Sequence, residues 1–278
     1  MTLASRFSKW TLPAERDFGW KMKSLETAKT SFTIEENGVF KLTIEHDPIR
    51  GVTPKMLLWW FKNIGGEMTH KGKNYLKYLV WHPKDHIHWC LAGKTPNEEV
   101  AEGSYFRIVE AFGRKMEFLV DSTEYVEKLD ETGIRLVKRI SKSEIFSLQH
   151  DFIQDGQNTI YKSQMIVGIN KNPFNKIFNY CIRPLFFTKK MGTAWLKHNV
   201  EEVGNFEFFL PELGPGRKWC CAHRGIRECH LGRSLSAIGT VTGLRNKFGN
   251  PAFDLFLDAG VEWCGQGVIV GGIDGFVP

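Results

Sequence analysis

The sequence contains no run of about 18 apolar residues, the length that a membrane-spanning helix requires. Its first residues, MTLASRFSKWTLPAERDFGW, also lack the apolar centre of a signal peptide. The 37 basic and 31 acidic residues are interspersed, and no basic block alternates with aromatic residues. We therefore expect a cytoplasmic protein that binds neither a membrane nor nucleic acid.

Cysteine is scarce, and most of it is confined to one end of the chain. Four of the six cysteines lie in the final quarter: Cys220, Cys221, Cys229 and Cys264. The segment WCCAHRGIRECH has no C-x2-C pair, and no second ligand pair follows at zinc-finger spacing. The pattern therefore predicts reduced thiols rather than a disulfide framework or a zinc finger.

Aromatic residues are abundant, with 21 Phe and 9 Trp in 278 residues. A chain of this length fits one large domain with a sizeable apolar core. The aromatic content suits a protein that encloses a flat or apolar ligand, although large aromatic residues are also ordinary core residues.

The hydrophobic pattern predicts an antiparallel sheet followed by a long helix. Residues 31–47 alternate around an Asn-Gly turn, as in a hairpin, and residues 53–64 have the caps of a buried helix. Alternating segments separated by turn signals follow between about 104 and 170. Residues 184–206 then show helical spacing, with one face formed by Met191, Trp195, His198, Glu202 and Asn205. We expect an α+β fold in which a curved sheet wraps around a helix.

Composition divides the chain into three parts. Residues 1–30 are polar and aromatic without a clear period and predict an N-terminal arm, and residues 31–213 carry the sheet and helix pattern. Residues 214–278 contain 13 of the 27 glycines and have poor periodicity, so they predict a Gly- and Cys-rich C-terminal extension with little regular order.

Several polar residues lie where the pattern predicts apolar surroundings. His198 and Glu202 are four residues apart on the inward face of the late helix, where they either pair with each other or hold a metal ion together. Glu117 interrupts the predicted strand KMEFLV, where it faces either the interior or solvent. His150 alternates inward on one strand, and Tyr161 does so on the next. These two side chains either transfer protons or form a plain hydrogen bond in the core.

The segment YLVWHPKDHIHW, at residues 78–89, holds three histidines. His82 precedes a proline and so lies in extended chain. Asp85 either orients His86 or caps a turn, and His86 and His88 share a face if the chain is extended. Taken singly, each histidine is more typical of a surface or core residue than of a metal ligand.

Together, the segments MLLWWF, YLVWHPKDH, a strand glutamate and HNVEE resemble the diacetylphloroglucinol hydrolase family, which includes phloretin hydrolases. The resemblance covers about residues 30–213. It implies a helix-grip fold like that of pollen allergens and START domains, a bound zinc ion and a homodimer. The implied reaction cleaves the carbon–carbon bond between an acyl group and a polyphenol ring in a small aromatic substrate.

The resemblance also implies roles for individual residues. The zinc ligands would be His86, Glu117, His198 and Glu202, and the catalytic residues would be His150, Tyr78 and Tyr161. The ring carbon would be protonated before the acyl group leaves, and zinc would polarise the acyl carbonyl. Where the family pattern has an asparagine three residues after the first histidine ligand, this chain has Trp89. Two alternatives stay open: a non-catalytic binder of a hydrophobic or aromatic small molecule, and a zinc hydrolase of ordinary esters.

Overall fold

A computed structural model describes residues 2–92, 100–171 and 175–213 of the chain. The predicted extension at residues 214–278 lies outside the described residues. None of the described helices has the length and hydropathy of a membrane span.

Eight strands form one antiparallel sheet in the order β1-β2-β10-β9-β8-β7-β6-β5, and β3 and β4 form a separate hairpin. In chain order the strands are β1 (Lys29–Ile34), β2 (Phe40–Glu45), β3 (Glu67–His70), β4 (Lys73–Leu76), β5 (His86–Ala92), β6 (Tyr105–Ala111), β7 (Leu119–Asp130), β8 (Gly133–Ile140), β9 (Ser143–Asp155) and β10 (Asn158–Val167). The predicted hairpin at 31–47 and the predicted meander between 104 and 170 are both confirmed.

The α-helices are α1 (Leu3–Phe7), α2 (Pro54–Lys62), α3 (Lys77–Trp81), α4 (Asn175–Ile177) and α5 (Lys189–Leu213). The predicted capping of α2 is confirmed, since the Thr53 hydroxyl accepts a hydrogen bond from the backbone N–H of Met56. The helix α5 begins later than predicted because Thr188 caps it through a hydrogen bond from the backbone N–H of Met191. Pro184 instead lies in a short 3-10 turn, Arg183–Leu185.

The core lies between one face of the sheet and α5. Alternate residues of β2, Phe40, Leu42 and Ile44, are buried, as the period of two requires of a half-buried strand. On α5, Met191 and Trp195 pack in the same cluster as the β2 side chains. The chain therefore has the predicted α+β helix-grip fold, with a curved antiparallel sheet around a long C-terminal helix.

The N-terminal residues pack along the opposite face of the sheet. The Trp10 ring stacks on His88 with a centroid separation of 4.9 Å, and its Nε1 donates to Asp121 at 2.9 Å. Ile87 packs in the same cluster as Trp10. This arm therefore covers the outer face of β5, β6 and β7, and α5 covers the inner face.

The prediction that Glu117 lies within a strand is wrong. Residues Met116–Phe118 form a 3-10 turn, and β7 begins only at Leu119. The chain leaves β6 through Gly113 and Arg114, which both have positive φ angles, and this turn displaces Glu117 from the sheet. Glu117 is exposed as a result.

Candidate functional site

Four ionisable side chains from three elements converge in the interior. His86 begins β5, Glu110 lies near the end of β6, and His198 and Glu202 lie one turn apart on α5. All four are buried. His86 Nε2 lies 3.5 Å from Glu110 Oε1 and 3.4 Å from Glu202 Oε2. His198 Nε2 lies 3.5 Å from Glu110 Oε2 and 3.7 Å from Glu202 Oε2.

The second nitrogen of each histidine fixes which atom faces this cluster. His86 Nδ1 lies 2.7 Å from the Tyr78 carbonyl oxygen, and His198 Nδ1 lies 3.0 Å from Asp85 Oδ2. Because a carbonyl and a carboxylate oxygen only accept hydrogen bonds, each Nδ1 carries the proton. Each Nε2 therefore faces the cluster, where the neutral imidazole presents a lone pair, and neither Nε2 has a hydrogen-bond partner within the described part of the chain.

The nitrogen–oxygen distances are close to those between the ligands of a zinc ion, and the ligand atoms of His86, Glu110 and His198 lie within 4.8 Å of one another. Zinc bonds of about 2.0–2.2 Å to nitrogen and oxygen place the ligand atoms about 3.3–3.6 Å apart. The four separations of 3.4–3.7 Å between nitrogen and carboxylate oxygen are close to that range. Buried imidazole lone pairs and carboxylates without a cation are costly, and a divalent cation would satisfy all of them at once.

The charges of the cluster shift the pKa values of its members. Burial raises the pKa of Glu202 and lowers that of His86 to about 4. Burial also lowers the pKa of His198, but Glu202, Asp85 and Glu110 more than offset this and raise it to about 9. Without a cation His198 is therefore protonated at neutral pH, and a metal ion bound at Nε2 would replace that proton.

Tyr78 links the cluster to α3. Its hydroxyl donates to Glu110 Oε1, and its ring stacks on His86 with a centroid separation of 3.9 Å. Burial and the charge of Glu110 raise the pKa of Tyr78 well above its usual value. The phenol therefore stays protonated and orients both Glu110 and His86.

Asp85 holds His198 rather than His86. Its carboxylate accepts hydrogen bonds from the backbone N–H groups of Gly113 and Arg114 at 2.8 and 3.0 Å, and from His198 Nδ1. Although burial opposes it, hydrogen bonding and the charge of His198 hold the pKa of Asp85 well below its ordinary value. The two possibilities predicted from sequence, orienting a histidine and fixing a turn, thus both apply, but the histidine is His198.

We expect Asp85→Asn to weaken zinc binding about 10- to 100-fold, the usual effect of removing the partner of a histidine ligand. The asparagine NH2 group would also face a backbone N–H, which leaves a buried donor unpaired. Titration with a competing chelator would measure the change in Kd. Asp121→Asn on the outer face is the matched control, and equal Kd values for the two variants would contradict the role of Asp85.

The structure brings together three of the four metal ligands predicted from sequence: His86, His198 and Glu202. Glu117 is exposed and lies outside the cluster, and Glu110 is the second carboxylate instead. Glu110 was recognisable in principle, because it continues the inward alternation of Phe106 and Ile108 in YFRIVEAF and is the one charged residue of that series.

His150 and Tyr161 both face the interior, as predicted. The core hydrogen bond expected between them does not form, because His150 Nδ1 lies 2.9 Å from Ser163 Oγ instead. His46 Nε2 reaches the same hydroxyl at 3.0 Å. The Tyr161 hydroxyl is buried, and no described residue forms a hydrogen bond with it. Burial and the charge of Glu202 raise the pKa of Tyr161 well above its usual value.

The buried histidines His46 and His150 make the stability of the protein sensitive to acid. Burial lowers the pKa of each to about 3, whereas an unfolded histidine titrates near 6.5. The unfolded chain therefore takes up protons below pH 6.5 that the native chain refuses until about pH 3, and stability falls as the pH falls through this window. Between pH 7.0 and 5.5 each histidine contributes a loss of about 1.2 kcal/mol.

We therefore expect His46→Gln to lose about 1.2 kcal/mol less than the wild type over the same pH step. Urea unfolding at pH 7.0 and 5.5 would measure the two losses. An identical pH dependence in both proteins would contradict the prediction that His46 is neutral in the native state.

Trp89 lies on the inner side of the sheet because of a β-bulge. The register of β5 against β6 shifts between His86 and His88, so that Ile87 and His88 both face the N-terminal arm. The prediction that His86 and His88 share a face is therefore wrong. Trp89 instead packs against Phe106 in the inner core, and its Nε1 is buried without a hydrogen-bond partner among the described residues.

Gly65 leaves the space that the Trp89 ring occupies. A Cβ atom at position 65 would lie 2.3 Å from a carbon of the indole ring. We expect Gly65→Ala to lower the free energy of unfolding by about 1–3 kcal/mol through overpacking. Thermal or urea unfolding would measure this loss. Adding Trp89→Phe, a smaller ring, should recover part of it, and strict additivity of the two changes would contradict the contact.

Comparisons with known proteins bear on the fold alone. No family model matches the chain, and no curated protein matches it either. Among solved structures, Ara h 8.0201 shares 9% identity over 63% of this chain and 97% of its own, with a TM-score of 0.39. Major latex-like protein 151 from Panax ginseng shares 9% over 61% and 96%, also with a TM-score of 0.39. A STAR-related lipid transfer protein fragment from Xanthomonas axonopodis shares 12% over 69% and 99%, with a TM-score of 0.32.

Proposed function

We propose that this protein is a zinc-dependent hydrolase that cleaves the bond between an acyl group and a polyphenol ring. The observation that carries the proposal is the convergence of His86, Glu110, His198 and Glu202, in which each histidine Nε2 lies 3.4–3.7 Å from a carboxylate oxygen of both glutamates, close to the separation of zinc ligands. The substrate class comes from the resemblance of the WHPKDH and HNVEE segments to diacetylphloroglucinol and phloretin hydrolases.

In this reaction an aryl ketone and water give a phenol and a carboxylic acid. When bound, zinc supplies Lewis acidity, which polarises the acyl carbonyl and makes water more acidic. The residues of the chain then have to deliver one proton to the ring carbon and remove one from water. His150 is the proton carrier in this proposal, since it is an inward imidazole that is not held by the four donor residues.

Two tyrosines have complementary roles in the proposal. Tyr78 is already committed to Glu110, so it orients a ligand residue. Tyr161 has a buried hydroxyl without a partner in the described chain, so it can donate to an oxygen of the substrate. A high pKa keeps both phenols protonated, which suits them as donors.

A non-catalytic binder of a hydrophobic or aromatic small molecule is the second candidate. The inner face of the helix-grip sheet favours it, because the side chains there are largely apolar and aromatic. The compared structures include, by their printed names, a STAR-related lipid transfer protein and the di-domain ARO/CYC BexL, of which this chain covers 50% with a TM-score of 0.39. They do not separate the two candidates, since their likeness concerns the fold alone.

Zinc analysis combined with a turnover assay separates these functions. The full chain would be purified without added chelator, its zinc content measured, and acylphloroglucinols and phloretin incubated with it. We expect one zinc per chain and release of the phenol and the acid. Bound zinc with binding of these compounds but no cleavage would overturn the hydrolase and leave the binder. A chain that binds no zinc, even after metal is supplied, would overturn the metal site.

A further inference from the structure

A carboxylate on the inner face of the sheet, outside the four-donor cluster, lacks a partner at one oxygen. Glu124 lies on β7 and is 2% exposed, and its Oε2 forms no hydrogen bond with the described residues. Strand alternation places it inward, because Val126 on the same strand and Phe106, its partner on β6, both belong to the inner core. A carboxylate in such surroundings is costly unless another group pairs with it.

Two further polar side chains share this part of the inner face. Ser122 lies two residues before Glu124 on β7, and Lys138 lies on β8 opposite Phe146, which packs in the core. Lys138 Nζ donates to Ser122 Oγ at 2.9 Å, and an ammonium group has two more N–H donors. Burial raises the pKa of Glu124, although the charge of Lys138 opposes this. We call Ser122, Glu124 and Lys138 the distal patch.

The distal patch lies on the same inner face as the four-donor cluster but farther along the strands. Glu110 and Phe106, the residue opposite Glu124, are four positions apart on β6, which corresponds to about 13 Å along the strand. Trp89 and Ile108 form the cross-strand pair between these two positions. Both are only half-buried, and Trp89 Nε1 has no hydrogen-bond partner among the described residues. The helix α5 therefore leaves this stretch of the inner face partly accessible.

A hydroxyl group is the ligand chemistry that fits the distal patch. A hydroxyl oxygen can accept a hydrogen bond from Lys138 and donate one to Glu124 Oε2, so it satisfies both side chains at once. The match holds in either protonation state, because a hydroxyl also accepts from a protonated carboxyl group. A ligand ammonium would be repelled by Lys138 and a ligand carboxylate by Glu124. An alkyl group would leave the buried carboxylate without a partner.

We propose that the distal patch is a ligand subsite that binds a hydroxyl group at the end of the ligand away from the four-donor cluster. For an aryl ketone, this hydroxyl lies at the far end of the acyl chain, so the subsite selects two-ring ketones such as phloretin over acylphloroglucinols with a short alkyl chain. The choice of an aryl ketone rests on the proposed hydrolase function, whereas the recognition of a hydroxyl group does not.

The test compares phloretin with the analogue that lacks only the hydroxyl on its second ring, bound to the full chain and followed by tryptophan fluorescence. We expect the wild type to bind phloretin about 10-fold or more tightly than the analogue, the effect of a hydrogen bond to a charged group. In Glu124→Leu the two Kd values should become equal, with that of the analogue unchanged. Glu127→Leu is the matched control, since Glu127 is a carboxylate of the same strand that is ion-paired with Arg135 and Arg139. Where the ketone is cleaved, the ratio of kcat/KM values replaces the ratio of Kd values.

Urea unfolding of Glu124→Leu distinguishes a ligand subsite from a structural role. Removing a buried carboxylate without a partner should leave the free energy of unfolding unchanged or higher, whereas a structural carboxylate would be missed. Equal affinity of the wild type for the two compounds, no binding of either, or full discrimination in Glu124→Leu would overturn the subsite. The wild-type comparison decides the first two, so the test stands if the variant does not fold. Discrimination without cleavage leaves the subsite and overturns the hydrolase, and cleavage without discrimination does the reverse.

Discussion

Glu110→Gln is expected to lose zinc, whereas Glu117→Gln is expected to keep it. The two glutamates are seven positions apart, but only Glu110 is buried with its carboxylate oxygens 3.5 Å from the free nitrogens of His86 and His198. Amide oxygen is a much weaker zinc ligand than carboxylate, and loss of the charge leaves the cation less compensated. We expect the Kd for zinc to rise at least about 100-fold in Glu110→Gln. This is more than the loss of about 10- to 100-fold that follows when only the hydrogen-bond partner of a ligand is removed.

Metal content after dialysis and titration with a zinc indicator would measure both variants. Tyr78→Phe is a useful companion, since it removes the hydroxyl that donates to Glu110 and keeps the carboxylate. Its effect on Kd should lie between those of the two glutamate variants. Zinc loss in Glu117→Gln with retention in Glu110→Gln would show that the chain around the β6–β7 turn differs from the structure described above.

The misassignment of Glu117 has a physical cause. A spacing carried over from a resembling family assumes that the chain between two ligands keeps its length and shape. Between His86 and Glu117 lie a β-bulge and a tight turn with positive φ angles at Gly113 and Arg114. Neither feature follows from hydrophobic periodicity, and the turn depends on a distant residue, since Asp85 holds its backbone N–H groups. The carried-over spacing therefore could not place Glu117, although the alternation of β6 does place Glu110 on the inner face.

Other parts of the site were predictable from sequence because they depend on regular geometry. His198 and Glu202 share a helix face through their four-residue spacing, and His150 and Tyr161 face inward through strand alternation. Those periods are properties of the backbone. The contacts of Ser163 were not predictable, because they require the register of β10 against β9 and the return of His46 from the first hairpin. The register of paired strands, and contacts between residues far apart in the sequence, are determined only once the whole sheet has formed.

Glu202 is held at both oxygens of its carboxylate. Its Oε2 faces the two free histidine nitrogens, and its Oε1 accepts from Asn199. A carboxylate that is fixed on both oxygens cannot rotate without breaking one of these contacts. The helix α5 therefore fixes the Glu202 carboxylate as well as the position of His198, and His198, Asn199 and Glu202 all come from the segment HNVEE.

His150→Gln is expected to lower kcat by about 10²- to 10⁴-fold, the range for loss of a positioned acid–base group. Glutamine keeps a polar side chain of similar length that can still bond to Ser163, but it has no basic nitrogen that could accept a proton during the reaction. Because His150 lies outside the four donors, zinc content should not change.

Steady-state kinetics on an acylphloroglucinol, with zinc measured on the same samples, would test this expectation. His88→Gln is the matched control: His88 lies on the outer face of the same sheet, stacked on Trp10, and its loss should leave kcat within about twofold of the wild type, as for a residue that takes no part in proton transfer. A His150→Gln enzyme with wild-type kcat would remove His150 from the reaction and leave Tyr161 as the remaining inward proton donor next to the cluster. If zinc content and kcat both fall in His150→Gln, His150 supports the metal site instead. Measuring both quantities on the same samples distinguishes this role from proton transfer.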